Sequence, residues 1–149
     1  MRGLGVLARL SNDRRGAIAL EFALMFTVML TMLFGITQFG IALYNKEALT
    51  NATRAATRML ALSRTSVGVW SDTQNAFFQS VPNLAPANTT LTISINGIAC
   101  GDDATCVTAM LTAAGQPASV RATYPCNLKV ITDFAPGCQL VSVTTQKVE

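Results

Sequence analysis

The sequence predicts an α+β fold: one long N-terminal helix, membrane-spanning in its first half and amphipathic in its second, packed on a small antiparallel sheet. Three observations carry that expectation. Residues 22–44 run for 23 positions without a formal charge. No Gly or Pro interrupts the chain between Gly40 and Gly68, a stretch rich in alanine. From residue 89 onward the hydrophobic period changes from that of a helix to two.

The first half of the helix follows from length and hydropathy. At 1.5 Å per residue, 23 residues make a rod of roughly 34 Å, enough for a hydrocarbon core of about 30 Å. Gly35 and Gly40 fall inside it and read as ordinary membrane-helix composition, where glycine is tolerated. The run is too long for the 7–15 apolar residues of a cleaved secretory signal. No cysteine stands beside it for a lipid anchor, and Arg14-Arg15 lacks the surroundings of a twin-arginine signal.

Charge places the span relative to the membrane. The chain's formal net charge is +3, and the whole excess lies in residues 1–16, where Arg2, Arg9, Arg14 and Arg15 face one acid, Asp13. Residues 17–149 carry seven basic and seven acidic side chains. The basic pI therefore bears on orientation, with the N-terminus kept in the cytoplasm, and not on nucleic acid.

Beyond Tyr44 and Lys46, a candidate interfacial pair, Ala48, Ala52, Ala55, Met59 and Leu62 recur at spacings of three and four. They predict an apolar stripe on a helix that runs on to about residue 63, with Arg54 and Arg58 on another face. Ser71-Asp72-Thr73-Gln74 has the form of a capping box for a short helix to about Ser80, with Phe77, Phe78 and Trp70 as its core contacts. Pro82 and Pro86 end helical structure. Leu91, Ile93 and Ile95 then alternate with polar residues in a strand closed by Asn96-Gly97. The stretch after Cys106 is expected as a second strand, although its alanines also suit a helix. Residues 119–124 and 140–148, rich in Val and Thr, complete the strand set.

The four cysteines, Cys100, Cys106, Cys126 and Cys138, all lie in the last third. An even count in a small domain beyond a membrane span points to disulfides in an oxidising compartment. Three pairings are possible, and the local one, Cys100 with Cys106 and Cys126 with Cys138, is the first choice. Spacings of five and eleven residues are not those of zinc ligands, so no metal and no cofactor are expected. Asp102-Asp103 reads as part of a solvated, disulfide-bounded loop. The chain has no histidine, which removes Ser/His/Asp and Cys/His chemistry. Phosphate-loop and dinucleotide motifs are also missing. No catalytic residue, enzymatic activity or small-molecule substrate is expected. Asn51-Ala-Thr53 and Asn88-Thr-Thr90 match a glycosylation pattern short enough to arise by chance.

One acid, Glu21, stands at the start of the apolar run. A carboxylate at mid-membrane costs about 2.5–3.5 kcal/mol on insertion scales, so it is kept mainly where a partner exists. Basic residues, Gly16, four apolar residues, Glu21, the aromatic Phe22 and an uninterrupted span form a constellation. It resembles the processing site of type IV prepilins, in particular the Tad-type (type IVb) pseudopilins TadE and TadF. The family has tyrosine where this chain has Phe22. The resemblance implies a pilin-like fold, a structural role in a Tad (Flp-type) pilus assembly system that supports surface adherence, and cleavage by a prepilin peptidase between Gly16 and Ala17. It divides the chain into a leader (1–16), a transmembrane helix (17–44) and an extracytoplasmic domain (45–149). Its implied partners are the peptidase, other pilins and pseudopilins, the Tad assembly machinery and membrane lipid. Its implied location is the bacterial inner membrane, with the C-terminal domain periplasmic or extracellular and capable of entering a pilus. The cut would create an α-amine at Ala17, one helical turn from Glu21, to pair with that acid between neighbouring subunits. The competing expectation is an uncleaved, signal-anchored protein with a small outer binding domain.

Overall fold

The structure, a computed structural model, describes residues 14–126 and 137–149. Most of the basic leader expected over 1–16 lies outside the described residues.

Helix α1 spans Arg14–Leu62, 49 residues without a break, and continues through both Gly35 and Gly40. Two further helices follow, α2 (Val69–Ser80) and α3 (Asp103–Leu111), with a 3-10 turn at Pro86–Asn88. The strands are β1 (Thr90–Ile95), β2 (Ile98–Cys100), β3 (Pro117–Pro125) and β4 (Gln139–Lys147). They form one antiparallel sheet in the order β2-β1-β3-β4. The second half of α1 packs on β3 and β4, α3 packs on β1 and β2, and α2 bridges the two helices. A helical layer on one sheet face, with the core between, is the two-layer solution for elements that each bury one side.

The sheet follows its alternation. Ile93 and Ile95 on β1, Ala118, Val120 and Ala122 on β3 and Ser142 on β4 are buried against the helices. The intervening positions are polar, and Ser94 and Ser119 share a hydrogen bond of 2.7 Å on the outer face. The short strand β2, absent from the sequence expectation, is set by the turn before it. Asn96 (φ 50°) and Gly97 (φ 80°) both lie in the left-handed region, which is what a two-residue hairpin matching strand twist requires.

Three expectations are corrected. The buried face of α1 is centred on Leu49, Ala52, Thr53, Ala56, Thr57 and Leu60, not on the expected stripe. Ala52 is shared, but Met59 and Leu62 are 38% and 58% exposed. The hydroxyls of Thr53 and Thr57 donate to the carbonyls of Leu49 and Thr53, each at 2.6 Å, so two polar residues enter the core with their hydrogen bonds made. The stretch after Cys106 is helical rather than a strand. Asp102 caps it by accepting from the backbone N–H of Thr105 at 2.7 Å, and Cys106 and Met110 face inward four residues apart. For the same reason the segment between Cys100 and Cys106 is a helix start, not a solvated loop.

The third correction concerns α2. It begins at Val69, two residues before the expected capping box, with Gly68 at the cap and no side-chain cap of its own. Asp103, 32 residues further on, supplies the acceptor: Oδ1 takes the N–H of Trp70 at 2.7 Å and of Ser71 at 2.9 Å. A carboxylate at a helix N-terminus satisfies orphan donors and complements the helix dipole.

Both disulfides join near neighbours in sequence. Cys100 pairs with Cys106 (Cα–Cα 5.2 Å) and ties the end of β2 to α3. Cys126 pairs with Cys138 (Cα–Cα 5.4 Å), one step past the last ladder pair of β3 and β4, Pro125 with Gln139.

Two consequences are measurable on the full chain in detergent. Asp103→Ala is expected to lower the unfolding free energy by about 1 kcal/mol, read in urea through Trp70, the chain's single tryptophan and itself a capped residue. Asp102 behaves differently. The backbone N–H of Thr105, followed by its hydroxyl, holds this carboxyl below its ordinary value of 3.8. A folded-state pKa below the unfolded one contributes stability above the unfolded value and loses it as pH falls through the folded one. The urea midpoint should therefore drop more between about pH 5 and about pH 3 in the wild type than in Asp102→Asn, which keeps an acceptor but cannot titrate. Equal drops would exclude Asp102 as a source of acid sensitivity.

Candidate processing and assembly surface

The expected processing residues lie in the first two turns of α1. Gly16, Ala17, Glu21 and Phe22 are all exposed. Ala17 and Glu21 are four apart, hence on one helix face, a turn from each other. The positions three and four away from Glu21 are Ala17, Ile18, Leu24 and Met25, none of them basic. Phe22 stacks on Phe26 with ring centroids 5.8 Å apart. A Cβ built on Gly16 would meet nothing within 4 Å.

Nothing in the fold covers this half of the helix. Its best 18-residue window has a mean hydropathy of 2.1 and no buried residue, making α1 long and apolar enough to cross a membrane. Phe22, Met29, Ile36 and Leu43 are 65–69% exposed. The three threonines of the run are compatible with an apolar surrounding because each hydroxyl is already used. Thr27, Thr31 and Thr37 donate to the carbonyls of Ala23, Thr27 and Leu33 at 2.8–2.9 Å.

The change from one solvent to the other occurs over Ala42–Lys46. Ala42 is the first buried hydrophobic residue of α1. The hydroxyl of Tyr44 accepts from Asn83 Nδ2 at 3.2 Å, and Lys46 Nζ donates to the carbonyl of Val141 on β4. Tyr44 and Lys46, read from sequence as interfacial anchors, thus also fasten the folded domain to the helix where it leaves the uncovered segment. Sequence reasoning missed Asn83 and Val141 as partners, because neither carries a local signal.

Among the described residues, no group of three or more His, Cys, Asp or Glu side chains is arranged to hold a metal ion. An open groove of about 560 Å³ lies between β2 and α3, lined by Ile98 and by alanines and threonines of α3. It carries no carboxylate, amine or thiol.

Residues 16–58 match the model of the family described as TadE-like protein. The chain carries a TadE-like segment. The match begins at Gly16, and it extends past the uncovered part of α1 into the half that packs on the sheet. No curated protein and no solved structure matches the chain. The TadE-like region is therefore the helix, and the domain built on it is described by its own geometry.

Because Gly16 has open space around it, Gly16→Leu is expected to leave the fold intact. Its urea unfolding should differ from the wild type by less than about 0.5 kcal/mol, with unchanged far-ultraviolet circular dichroism. A larger loss would show that this position serves folding.

Proposed function

We propose that the chain is a structural minor pilin or pseudopilin of a Tad-type pilus assembly system, matured by a prepilin peptidase that cuts between Gly16 and Ala17. The observation that carries the reading is the TadE-like match, which begins at Gly16 and covers a helix whose first half no other part of the fold buries. The chemistry agrees with it. Cleavage ahead of the apolar run retains the helix and discards the basic segment that precedes it. It also produces an α-amine at Ala17, whose ordinary pKa is about 7.7–8.0, next to an exposed acid with no basic neighbour on its own helix. In an apolar bundle an unpaired charge is costly, so a subunit whose Glu21 meets a neighbour's amine is favoured in that register.

In this reading α1 anchors the protein in the inner membrane with its N-terminus in the cytoplasm, and the disulfide-bonded domain lies outside. The role is one of assembly and adherence rather than catalysis, and its partners are the peptidase, other pilins and the Tad machinery. The experiment is N-terminal sequencing and intact mass of the chain from membranes of cells with an active prepilin peptidase. A mature chain that starts at Ala17 is expected, and Gly16→Leu should accumulate the uncut form. An uncut wild-type chain in those cells would overturn the proposal and leave the signal-anchored alternative standing.

A further inference from the structure

The face of α1 turned away from the sheet carries charges that find no partner along their own helix. Glu47, Arg54 and Arg58 are all exposed. At about 100° per residue, both arginines fall within about 20° of Glu47 around the helix axis, and the buried Leu49, Ala52, Ala56 and Leu60 lie on the opposite side. The positions three and four from Glu47 are Leu43, Tyr44, Thr50 and Asn51, none basic. Those around Arg54 are Thr50, Asn51, Thr57 and Arg58, none acidic, and the Arg54–Arg58 spacing is repulsive within one helix.

We infer that this stripe is a self-complementary contact by which a second copy of the chain docks in parallel, shifted by seven residues along α1, so that Glu47 of one copy meets Arg54 of the other. Two independent features select that register. Seven residues are two helical turns, about 10.5 Å, which brings Glu47 and Arg54 level on facing surfaces. The same shift superposes the exposed seam Phe22, Met29, Ile36 and Leu43 on itself, because these residues recur every seven positions on that same side of the helix. In lipid the apolar seam alone supplies little drive, since the tails are as apolar as the side chains, and the charges above it fix register. A shift of eleven residues would pair Glu47 with Arg58 but would break the seam's repeat. Arg58 moreover lines a cleft within its own copy, together with Gln146, Lys147 and Glu149.

This inference rests on the pilin reading for its parallel arrangement, and it fails separately from it. The test uses full chains, donor- and acceptor-labelled, in vesicles of neutral phosphatidylcholine, with energy transfer reporting self-association. It is run on the chain beginning at Ala17 and on the uncut chain. Glu47→Arg and Arg54→Glu should each weaken association roughly fivefold, while E47R/R54E should recover to within about twofold of the wild type. E47K/R54D should repeat the recovery with other side chains. R58E should change association by less than about twofold. Urea unfolding read at Trp70 confirms that each variant is folded. No wild-type association, a swap as weak as the single variants, or R58E as damaging as R54E would overturn the inference. Association recovered only in anionic vesicles would assign the arginines to lipid headgroups and overturn it equally. Cleavage after Gly16 without recovery by the swap sinks the inference alone. Recovery without cleavage sinks the pilin reading alone.

Discussion

One constraint governs this molecule: a single unbroken helix must satisfy two solvents. Over its first half α1 is apolar on every side and nothing in the fold covers it. Over its second half only one side is apolar, and the sheet and α2 fill that side. Backbone hydrogen bonding makes the arrangement possible, because a helix satisfies its own donors and acceptors in either medium. The switch happens within about one turn, at Ala42–Lys46, and the domain is fastened there by Tyr44 to Asn83 and by Lys46 to Val141. These two contacts reach the α2–β1 connection and the edge strand β4, so the domain is held to the helix from two separate parts of the chain.

The domain beyond the switch is small, and it stabilises itself by sharing parts between elements. Asp102 and Asp103 are adjacent, yet they serve different helices: the first caps α3 and the second caps α2. The Cys100–Cys106 disulfide brackets both aspartates and ties α3 to the end of β2. Loss of that bridge would loosen the position of an acid on which another helix depends. At the far end of the sheet, Cys126–Cys138 closes the last step of the β3–β4 ladder. The two bridges thus fix the places where the sheet meets its less regular connections.

How much of this was legible follows from the range of each interaction. The span, its continuation as a helix, the alternation of β1, β3 and β4 and the Asn96-Gly97 turn are carried by neighbours in sequence, and each was readable. The inward face of α1 was misread because apolar residues alone were counted. Thr53 and Thr57 are buried while Met59 and Leu62 are not, since a threonine hydroxyl can be satisfied by its own helix. Helix α3 was misread because Cys106 and its alanines suit either structure, and the deciding signal was the cap at Asp102. The start of α2 was out of reach of local reading altogether, as its capping acid comes from another helix. At the processing surface, Gly16, Ala17, Glu21 and Phe22 were visible as a linear motif. What the structure adds is that they are exposed, with open space at Gly16.

The exposed acid at Glu21 and the charged stripe at Glu47 and Arg54 pose the same physical problem at two heights along one rod. Each is an ionic group whose helical neighbours offer no counter-charge. Near the membrane edge the missing counter-charge can be an amine that cleavage creates; above the membrane it can be the arginine of a shifted copy. The two differ in what enforces them. An unpaired charge among apolar helices is expensive, so pairing at Glu21 would be close to obligatory on assembly. The stripe lies in water, where a single ion pair contributes at most about 1 kcal/mol, so it can bias register without holding copies together by itself. A helix built this way would associate strongly only after processing, with the outer charges choosing among the registers that the apolar seam permits.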